Sequence, residues 1–416
     1  MKGGFFNMAI QNPMAGWGPF VLALGGTQTI GYGAVFYAYP ILVPAIAAEF
    51  GVSGPMLFGV FSVGLLVGGL ASPRLGRLLD QIGAPQVMAI GSFLAAILTA
   101  SMAFAPNFAS FAVLVILLQS ISFTVLYDAA FVTLALKEPD DTRSAITRLT
   151  LIGGFASTVF WPLTGFAVET FGWRGTYMAF AMLHLGIALP LHLWIARKVP
   201  VPRAGQDTPV RAPRPEFPTI APDHLRAAFV LLALGFAVTG MVIAAIGVHM
   251  VPVLLERGLG QTAFLVAMLM GPAQVMIRLV EAGFWRNFHP LSVAIISGAA
   301  VPLSFCALLL AGQGQGVGLA IVFALLFGAG QGLTSIVRGS VPLVLFGPAG
   351  IGARLGRLAG LRSVMSAAAP FLFAVSLAHL GPQITLWVCI LLGVVGLGAL
   401  VALRANLRVQ GRWHAV

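Results

Sequence analysis

Charged residues are scarce in this sequence. Asp, Glu, Lys and Arg make up 8% of its 416 residues, whereas 59% are hydrophobic. A soluble protein carries about 25% charged residues, which it needs to cover its surface. A lipid bilayer removes that need because lipid tails are as apolar as a leucine side chain. The composition therefore predicts an integral membrane protein and excludes an ordinary soluble domain.

Cysteines and common catalytic motifs are also scarce or missing. The two cysteines, Cys306 and Cys389, both lie in apolar runs, and they provide neither a disulfide framework nor the spacing of metal ligands. The sequence contains no Walker A, H-E-x-x-H or G-x-S-x-G motif. We therefore expect no enzyme activity, no metal and no cofactor, and no ATP hydrolysis by this chain.

Acidic residues are half as frequent as basic ones, 12 against 23, which gives a net charge of +11. Lys and Arg are not interleaved with aromatic residues as they are in nucleic-acid-binding segments, so we expect no nucleic-acid partner. In membrane proteins, basic residues collect in cytoplasmic loops. The positions of the basic residues therefore indicate which side of the membrane each loop occupies.

Twelve apolar windows approach the about 20 residues that cross a bilayer. They are 18–40, 54–72, 87–105, 108–134, 149–168, 175–196, 227–249, 262–283, 291–311, 317–338, 363–380 and 384–403. Only the connection 197–226, rich in Pro and charge, is long. We predict a six-helix bundle over 1–196, a cytoplasmic linker over 197–226, and a six-helix bundle with a cytoplasmic tail over 227–416. With both termini in the cytoplasm, most Lys and Arg fall in cytoplasmic segments, as expected.

The two halves resemble each other. Helices 1 and 7 both end in a Val-Pro pair followed by a glutamate, and helices 5 and 11 each have a proline followed by a turn glycine. The residues are Val43, Pro44 and Glu49 against Val251, Pro252 and Glu256, and Pro162 and Gly172 against Pro370 and Gly381. Parallel repeats of this kind are typical of transporters whose site lies between the halves at mid-membrane.

The segment between helices 2 and 3 carries a recognisable motif. Gly76, Asp80 and Gly83 match the G-x-x-x-D-x-x-G signature of the major facilitator superfamily, although Ala84 and Pro85 stand where the family has basic residues. The chain thus resembles that family, which implies an all-α fold of twelve membrane helices in two pseudo-repeats. The resemblance implies that Asp80 binds the N-terminus of helix 11 and latches one conformation. The alternative is a plain turn with a solvated aspartate.

Within the superfamily, the sequence resembles bacterial permeases related to monocarboxylate porters. Gly31-Tyr32-Gly33 and Gly172-Trp173-Arg174 carry this resemblance. Those porters have an Asp and an Arg four residues apart in helix 8. Arg278 fits the Arg, but Gln274 stands at the Asp position, so lactate-like proton symport is not implied. The stretch 332–342 with Gly356 and Arg357 also resembles arsenite-efflux permeases.

Ionisable residues inside membrane helices are costly and mark functional positions. Arg278 and Glu281 are three residues apart and share a helix face, so they can pair. Arg278 either binds an anion in the cavity or extends to water beside its counter-ion. Asp128 and Arg338 occupy equivalent places in the two halves and either form a gate pair or lie apart.

Polar and aromatic residues within the helices are the remaining candidates for substrate contact. The alternative is that they join helices to each other. They are Gln274, Gln28, Tyr32, Tyr127, Trp161 and Gln331.

These features predict a secondary active permease for a small solute, an organic or inorganic anion, working by alternating access. We expect a monomer in a bacterial inner membrane, with the lipid bilayer, the small-molecule substrate and a coupling proton as its partners. Proton-coupled efflux of drugs or arsenicals is one alternative. A non-transporting membrane sensor or scaffold is another.

Overall fold

The structure is a computed structural model that describes residues 18–138, 141–199, 224–260, 262–285, 288–311 and 316–409. Within these ranges every regular element is a helix, and 10 helical segments are long and apolar enough to cross a membrane. Lys2, Arg286, most of the predicted linker and the last residues of the tail lie outside the described ranges.

Two of the segments are too long for a single crossing. Thr142–Ala196 has 55 residues and Ile351–Leu407 has 57; at about 1.5 Å per residue each far exceeds the roughly 30 Å hydrocarbon core. Each is interrupted at a glycine with positive φ, Gly172 (φ 67) and Gly381 (φ 79). Counted as two each, they give twelve spans, as predicted, and the predicted turns at both glycines are confirmed.

The spans are numbered here in chain order. They are span 1 (Pro19–Phe50), span 2 (Gly54–Ile82), span 3 (Ala84–Ala103), span 4 (Phe108–Lys137), span 5 (142–171), span 6 (173–196), span 7 (Leu225–Glu256), span 8 (Thr262–Met268 and Met270–Gly283), span 9 (Pro290–Leu310), span 10 (Val317–Phe346), span 11 (351–380) and span 12 (382–409).

Three spans change helix type along their length. Span 1 consists of the α-helices Pro19–Tyr32 and Tyr39–Phe50 joined by a π-helical turn at Gly33–Tyr37. Span 4 has a 3₁₀ turn at Ser122–Thr124, and span 6 has a π-helical turn at His184–Ala188. Turns of the π type occur frequently at functional sites, and the one in span 1 ends at Tyr37, whose ring contacts that of Trp161 on span 5.

Span 11 begins at Ile351, twelve residues before the predicted start at 363. The prediction was wrong because a hydropathy window does not extend over Arg354, Arg357 and Arg362. The helix forms there because it packs against span 2 through glycines. An added Cβ on Gly76 would overlap the carbonyl oxygen of Gly352, so the two backbones approach as closely as small residues allow.

One arginine in each half ties together the ends of several spans. Arg174 at the start of span 6 donates to the carbonyls of Ala103 and Ala105 at 2.7 and 2.8 Å. Arg257 at the end of span 7 donates to the carbonyls of Leu308 and Leu309 at 2.8 and 3.1 Å. These carbonyls lie at the ends of spans 3 and 9, which are equivalent in the predicted repeat. Similar contacts at equivalent positions agree with two repeated halves.

The two ends of the molecule are packed differently. We call them the Asp80 end and the Gly172 end, after a residue at each. On span 5, Ala145, Ile146 and Leu149 near the Asp80 end are 0–1% exposed, whereas Trp161 and Phe171 towards the Gly172 end are 55% and 62% exposed. Among the described residues, side-chain hydrogen bonds between the halves occur only from mid-membrane to the Asp80 end. The halves are thus closed together at the Asp80 end.

Candidate functional site

Arg278 lies at the boundary between the two halves. Its side chain projects from span 8 and is 4% exposed. Its Nη1 donates to the carbonyl of Thr150 on span 5 at 3.1 Å, and its Nε donates to the carbonyl of Gly332 on span 10 at 3.4 Å. Nη2 donates to no described residue. The guanidinium group is therefore held in place by neutral carbonyls, forms no ion pair with a described carboxylate, and has a free pair of N–H groups on Nη2.

A second cluster of charges lies deeper between the halves. Nη2 of Arg362 lies 3.4 Å from Oδ2 of Asp128 and forms an ion pair between spans 11 and 4. Arg338 on span 10 donates through Nη2 to the Tyr32 hydroxyl at 3.4 Å, and it also interacts electrostatically with Asp128. Its Nε is buried and has no hydrogen-bond partner.

The predicted pairings of these charges need two corrections. Asp128 forms its ion pair with Arg362, not Arg338, because span 11 starts early enough to carry Arg362 into the membrane. Glu281 pairs with Arg143, not Arg278, because its face of span 8 meets span 5. The predicted gate role of Asp128 and Arg338 stays a prediction.

In this region guanidinium groups outnumber carboxylates, and N–H donors outnumber the acceptors that they bind. Among the described residues, three guanidinium groups, those of Arg278, Arg338 and Arg362, lie near one carboxylate, that of Asp128. Each guanidinium carries five N–H donors, yet the hydrogen bonds of the described residues occupy two on Arg278 and one on each of the others. Positive charge and unused donors in a buried space are the chemical requirements for binding an anion.

Aromatic side chains form a continuous series beside these arginines. The rings of Tyr32 and Tyr127 lie 4.5 Å apart, those of Tyr32 and Tyr37 lie 6.3 Å apart, and those of Tyr37 and Trp161 meet edge to face at 6.3 Å. Arg338 lies 5.9 Å from the Tyr127 ring centre, within the range of a cation–π contact. The series leads from the exposed Trp161 to the buried charges.

The glutamine candidates separate into two kinds. Gln274 donates to Gln331 at 3.0 Å between spans 8 and 10, one helical turn from Arg278 on the same face. Gln28 is fully buried and donates to the carbonyl of Val125 within the first half. Gln28 therefore joins span 1 to span 4 in this conformation, whereas Gln274 and Gln331 join span 8 to span 10 beside Arg278.

Glu281 anchors the closed Asp80 end. Its carboxylate accepts from Arg143 at 2.9 Å and from the Thr147 hydroxyl at 2.8 Å, both on span 5. Arg143 also donates to the carbonyls of Trp285 and Phe288. The glutamate is 2% exposed and its arginine 14%, so this is a largely buried pair that must break if the halves separate here.

Asp80 supplies a second tie at the same end, and the contact predicted from the motif is present. Its carboxylate oxygens accept from the backbone N–H groups of Gly352 and Ala353 at 2.9 and 2.7 Å. These amides open span 11, where the helix dipole favours a negative charge. Gly83 of the motif has φ 102 and separates spans 2 and 3, a conformation that suits glycine.

Sequence reasoning missed Arg362, Arg143 and Tyr37. Both arginines lie between the predicted apolar windows, where basic residues are expected in cytoplasmic loops. The spacing of Arg362 from the glycines at 352, 356 and 360 was the available signal, since this small-residue repeat marks a packed helix. The described residues contain no group of three or more His, Cys, Asp or Glu placed to hold a metal ion.

The chain is similar to known proteins in both sequence and fold. The family model of the Major Facilitator Superfamily matches residues 24–370. Monocarboxylate transporter 11 of Homo sapiens and of Mus musculus are each 29% identical over 251 residues, which is 60% of this chain. The match covers only 52% and 54% of the two relatives, so about half the length of each is represented.

Two solved structures share the fold. The human organic anion transporter MFSD10 (TETRAN) superposes with a TM-score of 0.70 over 94% of this chain and 100% of its own, at 16% identity. The transporter FucP, solved in the outward conformation, superposes with a TM-score of 0.69 over 92% of this chain and 98% of its own, at 15% identity. At such identities the likeness concerns the fold alone.

Proposed function

Since this chain belongs to the major facilitator superfamily, we propose that it is a secondary active transporter that carries a small organic anion across the membrane by alternating access. That it is a multi-pass membrane transporter of a small solute follows from the family. The anionic substrate and the way transport is driven are the proposal.

The excess of guanidinium groups over carboxylates carries this proposal. Arg278, Arg338 and Arg362 have one carboxylate, Asp128, among them, and most of their N–H donors are unused. Burying uncompensated charge is expensive, so the arrangement is expected to be kept only where a ligand supplies negative charge. Arg278 is the primary anion contact, with Gln274, Gln331, Tyr32 and Tyr127 around it. Gln28 stabilises this region indirectly, by joining span 1 to span 4 through the carbonyl of Val125.

The packing supports alternating access. Asp80 and Glu281 hold the halves together at one end, while the facing helices are exposed towards the other. A rocking motion of one six-helix bundle (1–196) against the other (227–416), linked by 197–226, would break both ties and close the Gly172 end. Asp128 is the candidate coupling group, because its protonation would release Arg362.

The charge pattern supports an orientation with the Asp80 end in the cytoplasm. Arg74, Arg77 and Arg357 are exposed at this end, and basic residues are favoured on the cytoplasmic side. Both termini are then cytoplasmic, and the open cavity faces outward. We further propose that the protein works as a monomer in a bacterial inner membrane. The monocarboxylate transporters among the relatives similar in sequence agree with an anionic substrate.

Binding and uptake of benzoate by the purified full-length protein test the proposal. We expect benzoate to raise the thermal unfolding temperature and to be taken up into proteoliposomes, while choline and glucose have no effect. Arg278→Gln should weaken benzoate binding by on the order of tenfold or more, the effect of losing a charged hydrogen bond. Arg357→Gln, at an exposed arginine of span 11, is the matched control and should bind normally. Stabilisation by cations or neutral solutes alone would contradict an anionic substrate.

A further inference from the structure

The arginine that ties the spans of the first half together at the Gly172 end is paired with a carboxylate. Arg174 donates to the carbonyls of Ala103 and Ala105, and its Nε and Nη2 donate to Oε1 of Glu49 at 3.0 and 2.7 Å. Trp173 donates to the other oxygen of Glu49 at 2.6 Å. In this half, a carboxylate from the end of span 1 therefore balances the guanidinium that holds the carbonyls at the end of span 3.

The corresponding arginine of the second half has no such partner. Arg257, directly after span 7, donates through Nη2 to the carbonyls of Leu308 and Leu309 at the end of span 9. Its Nη1 donates to the neutral amide oxygen of Gln383 at 3.2 Å. The ion pairs of the described residues do not include Arg257. The second half thus repeats the contact between guanidinium and carbonyls without the carboxylate.

The repeat explains why the carboxylate is missing. Gln383 stands two residues after the turn glycine that precedes span 12, as Arg174 stands two residues after the one that precedes span 6. Glu256 matches Glu49 in the repeat, but it is exposed and adjacent to Arg257, and side chains of adjacent helix residues do not face each other. The arginine has moved to the end of span 7, and a neutral glutamine stands opposite it.

Arg257 is also more deeply buried than an unpaired arginine normally is. Its side chain is 2% exposed, and its Nε is buried and has no hydrogen-bond partner. Burial lowers the pKa of Arg257, and no charge of another described residue counteracts this effect. Buried charges are normally paired, because they have lost the hydration that stabilises them in water. A negative ion at this position would supply the missing charge and a further acceptor.

The side of Arg257 that faces the Gly172 end has a thin cover. Gln383 is exposed, as are Gly258 and Gly260 in the turn that follows Arg257. A single neutral hydrogen bond holds Gln383 to the guanidinium, so its amide can turn towards water and leave its position to an anion. Leu308 on the inner side is fully buried and close-packed interiors leave little room, which limits the anion to a small one.

From this geometry we propose that Arg257 and Gln383 bind a small inorganic anion of the size of chloride at the Gly172 end of the second half. The anion joins the ends of spans 7, 9 and 12 and so stabilises this half, as Glu49 stabilises the first. The site is separate from Arg278, which lies 16 residues after the start of span 8 at Thr262, about 24 Å along its axis. It does not depend on the proposed function.

Thermal unfolding of the purified full-length protein in equal concentrations of sodium chloride, sodium bromide and sodium gluconate tests the site. Equal ionic strength keeps the screening of charges constant, and gluconate is too large to enter. We expect chloride and bromide to raise the unfolding temperature by about 1–4 °C relative to gluconate, and the rise to saturate. Anomalous scattering from crystals grown in sodium bromide should show a bromide ion within hydrogen-bonding distance of the Arg257 guanidinium.

Gln383→Glu is the deciding variant, because it supplies the missing carboxylate and keeps the bonds of Arg257 to span 9. In gluconate it should unfold at the temperature that the wild type reaches in chloride, and it should lose most of its response to halides. Gln81→Glu adds a carboxylate at an exposed position of span 2 at the Asp80 end. It is the matched control and should keep the wild-type response, as should Arg278→Gln.

Three results would overturn the proposal. The first is an equal unfolding temperature of the wild type in all three salts. The second is a full halide response in Gln383→Glu, or a bromide map without a peak at Arg257. The third is loss of the response in Arg278→Gln, which would place the anion among the central arginines.

Discussion

Arg362 on span 11 and Asp128 on span 4 form an ion pair across the two halves, with Nη2 and Oδ2 3.4 Å apart. Their side chains are 14% and 8% exposed, so water screens the charges only in part. The distance is long for a charge-assisted hydrogen bond, which is normally about 2.7–2.9 Å. An incoming anion can therefore compete with Asp128 for this arginine.

Replacing Asp128 by Asn tests that competition. The change removes the one carboxylate among three arginines, so we expect benzoate to bind on the order of tenfold more tightly, which corresponds to about 1.4 kcal/mol. Uptake into proteoliposomes should also lose its response to an imposed pH gradient, because the group that exchanges the proton is gone.

Glu169→Gln, at an exposed carboxylate of span 5, is the control for Asp128→Asn and should leave both properties unchanged. If Asp128→Asn bound benzoate more weakly, the proposed competition between Asp128 and the substrate would be wrong. If its uptake still responded to the pH gradient, Asp128 would not be the coupling group. Reversing the pair, Asp128→Arg with Arg362→Asp, should restore part of the uptake that each single change abolishes. The corresponding reversal of Asp128→Arg with Arg338→Asp should restore less uptake.

Glu281→Gln should open the Asp80 end. Removing one partner of a buried ion pair costs about 3–5 kcal/mol; since Arg143 is 14% exposed, we expect the lower part of that range. A loss of about 3 kcal/mol lowers the ratio of closed to open protein by on the order of a hundredfold, since about 1.4 kcal/mol is a factor of ten. Spin labels at positions 77 and 357, both exposed at this end, should move apart in the variant.

Thr147→Val provides the comparison for Glu281→Gln, because it removes a single hydroxyl bond to the same carboxylate and keeps the ion pair. A hydrogen bond to a charged acceptor contributes about 1.5–3 kcal/mol, less than the ion pair, so the labels should move apart less than in Glu281→Gln. Identical label distances in the wild-type protein and Glu281→Gln would show that this pair does not hold the end closed.

Gly76→Ala should weaken the contact between spans 2 and 11. The added methyl would overlap the carbonyl oxygen of Gly352, and backbone atoms in a packed helix cannot move aside cheaply. Overpacking of this kind costs about 1–3 kcal/mol. We expect labels at the Asp80 end to separate and the cavity at the Gly172 end to become less accessible to thiol reagents.

Gly59 offers a control on the same helix, because an added Cβ there meets no atom within 4 Å. Gly59→Ala should therefore leave the label distances unchanged. If both alanine variants behaved alike, the effect would belong to helix propensity, since alanine is favoured over glycine in a helix by about 1 kcal/mol, and not to the contact between the spans.

His289 should make stability depend on pH. Its Nδ1 accepts the N–H of Leu291 and caps span 9 at 3.1 Å, which requires that nitrogen to be unprotonated. Burial, and next the charges of Arg143 and Arg404, lower the pKa of His289 to about 3. The unfolded chain, with a histidine pKa of about 6.5, binds the proton more readily. Stability is therefore full above pH 6.5 and falls as pH drops below that value.

Thermal unfolding at pH 7.5 and pH 5 measures this effect. His289→Asn keeps a residue that caps helices and cannot titrate, so its unfolding temperature should fall less between the two pH values than that of the wild type. His379→Asn, at an exposed histidine of span 11, should behave like the wild type. Parallel pH profiles for wild type and His289→Asn would exclude His289 as the cause.

The membrane fold followed from the sequence because hydropathy is a local property. A window of about 20 residues is enough to recognise a crossing, and the turn glycines at 172 and 381 stand where the chain must reverse. The motif around Asp80 also predicted its contact with span 11, since a carboxylate and a helix N-terminus attract each other in any sequence context.

The pairing of charges followed only from the tertiary structure. Asp128 is separated from Arg338 and Arg362 by more than 200 positions, and sequence distance does not say which helix face each occupies. Three residues along a helix turn a side chain by nearly a full turn and raise it by about 4.5 Å, so a small error in where span 11 begins changes the partner.

The sequence by itself determined that this chain crosses a membrane as two related sets of helices, because burial in lipid is encoded residue by residue. The tertiary structure decided which arginines meet a carboxylate and which keep free donors, because that depends on the packing of helices from opposite halves of the chain.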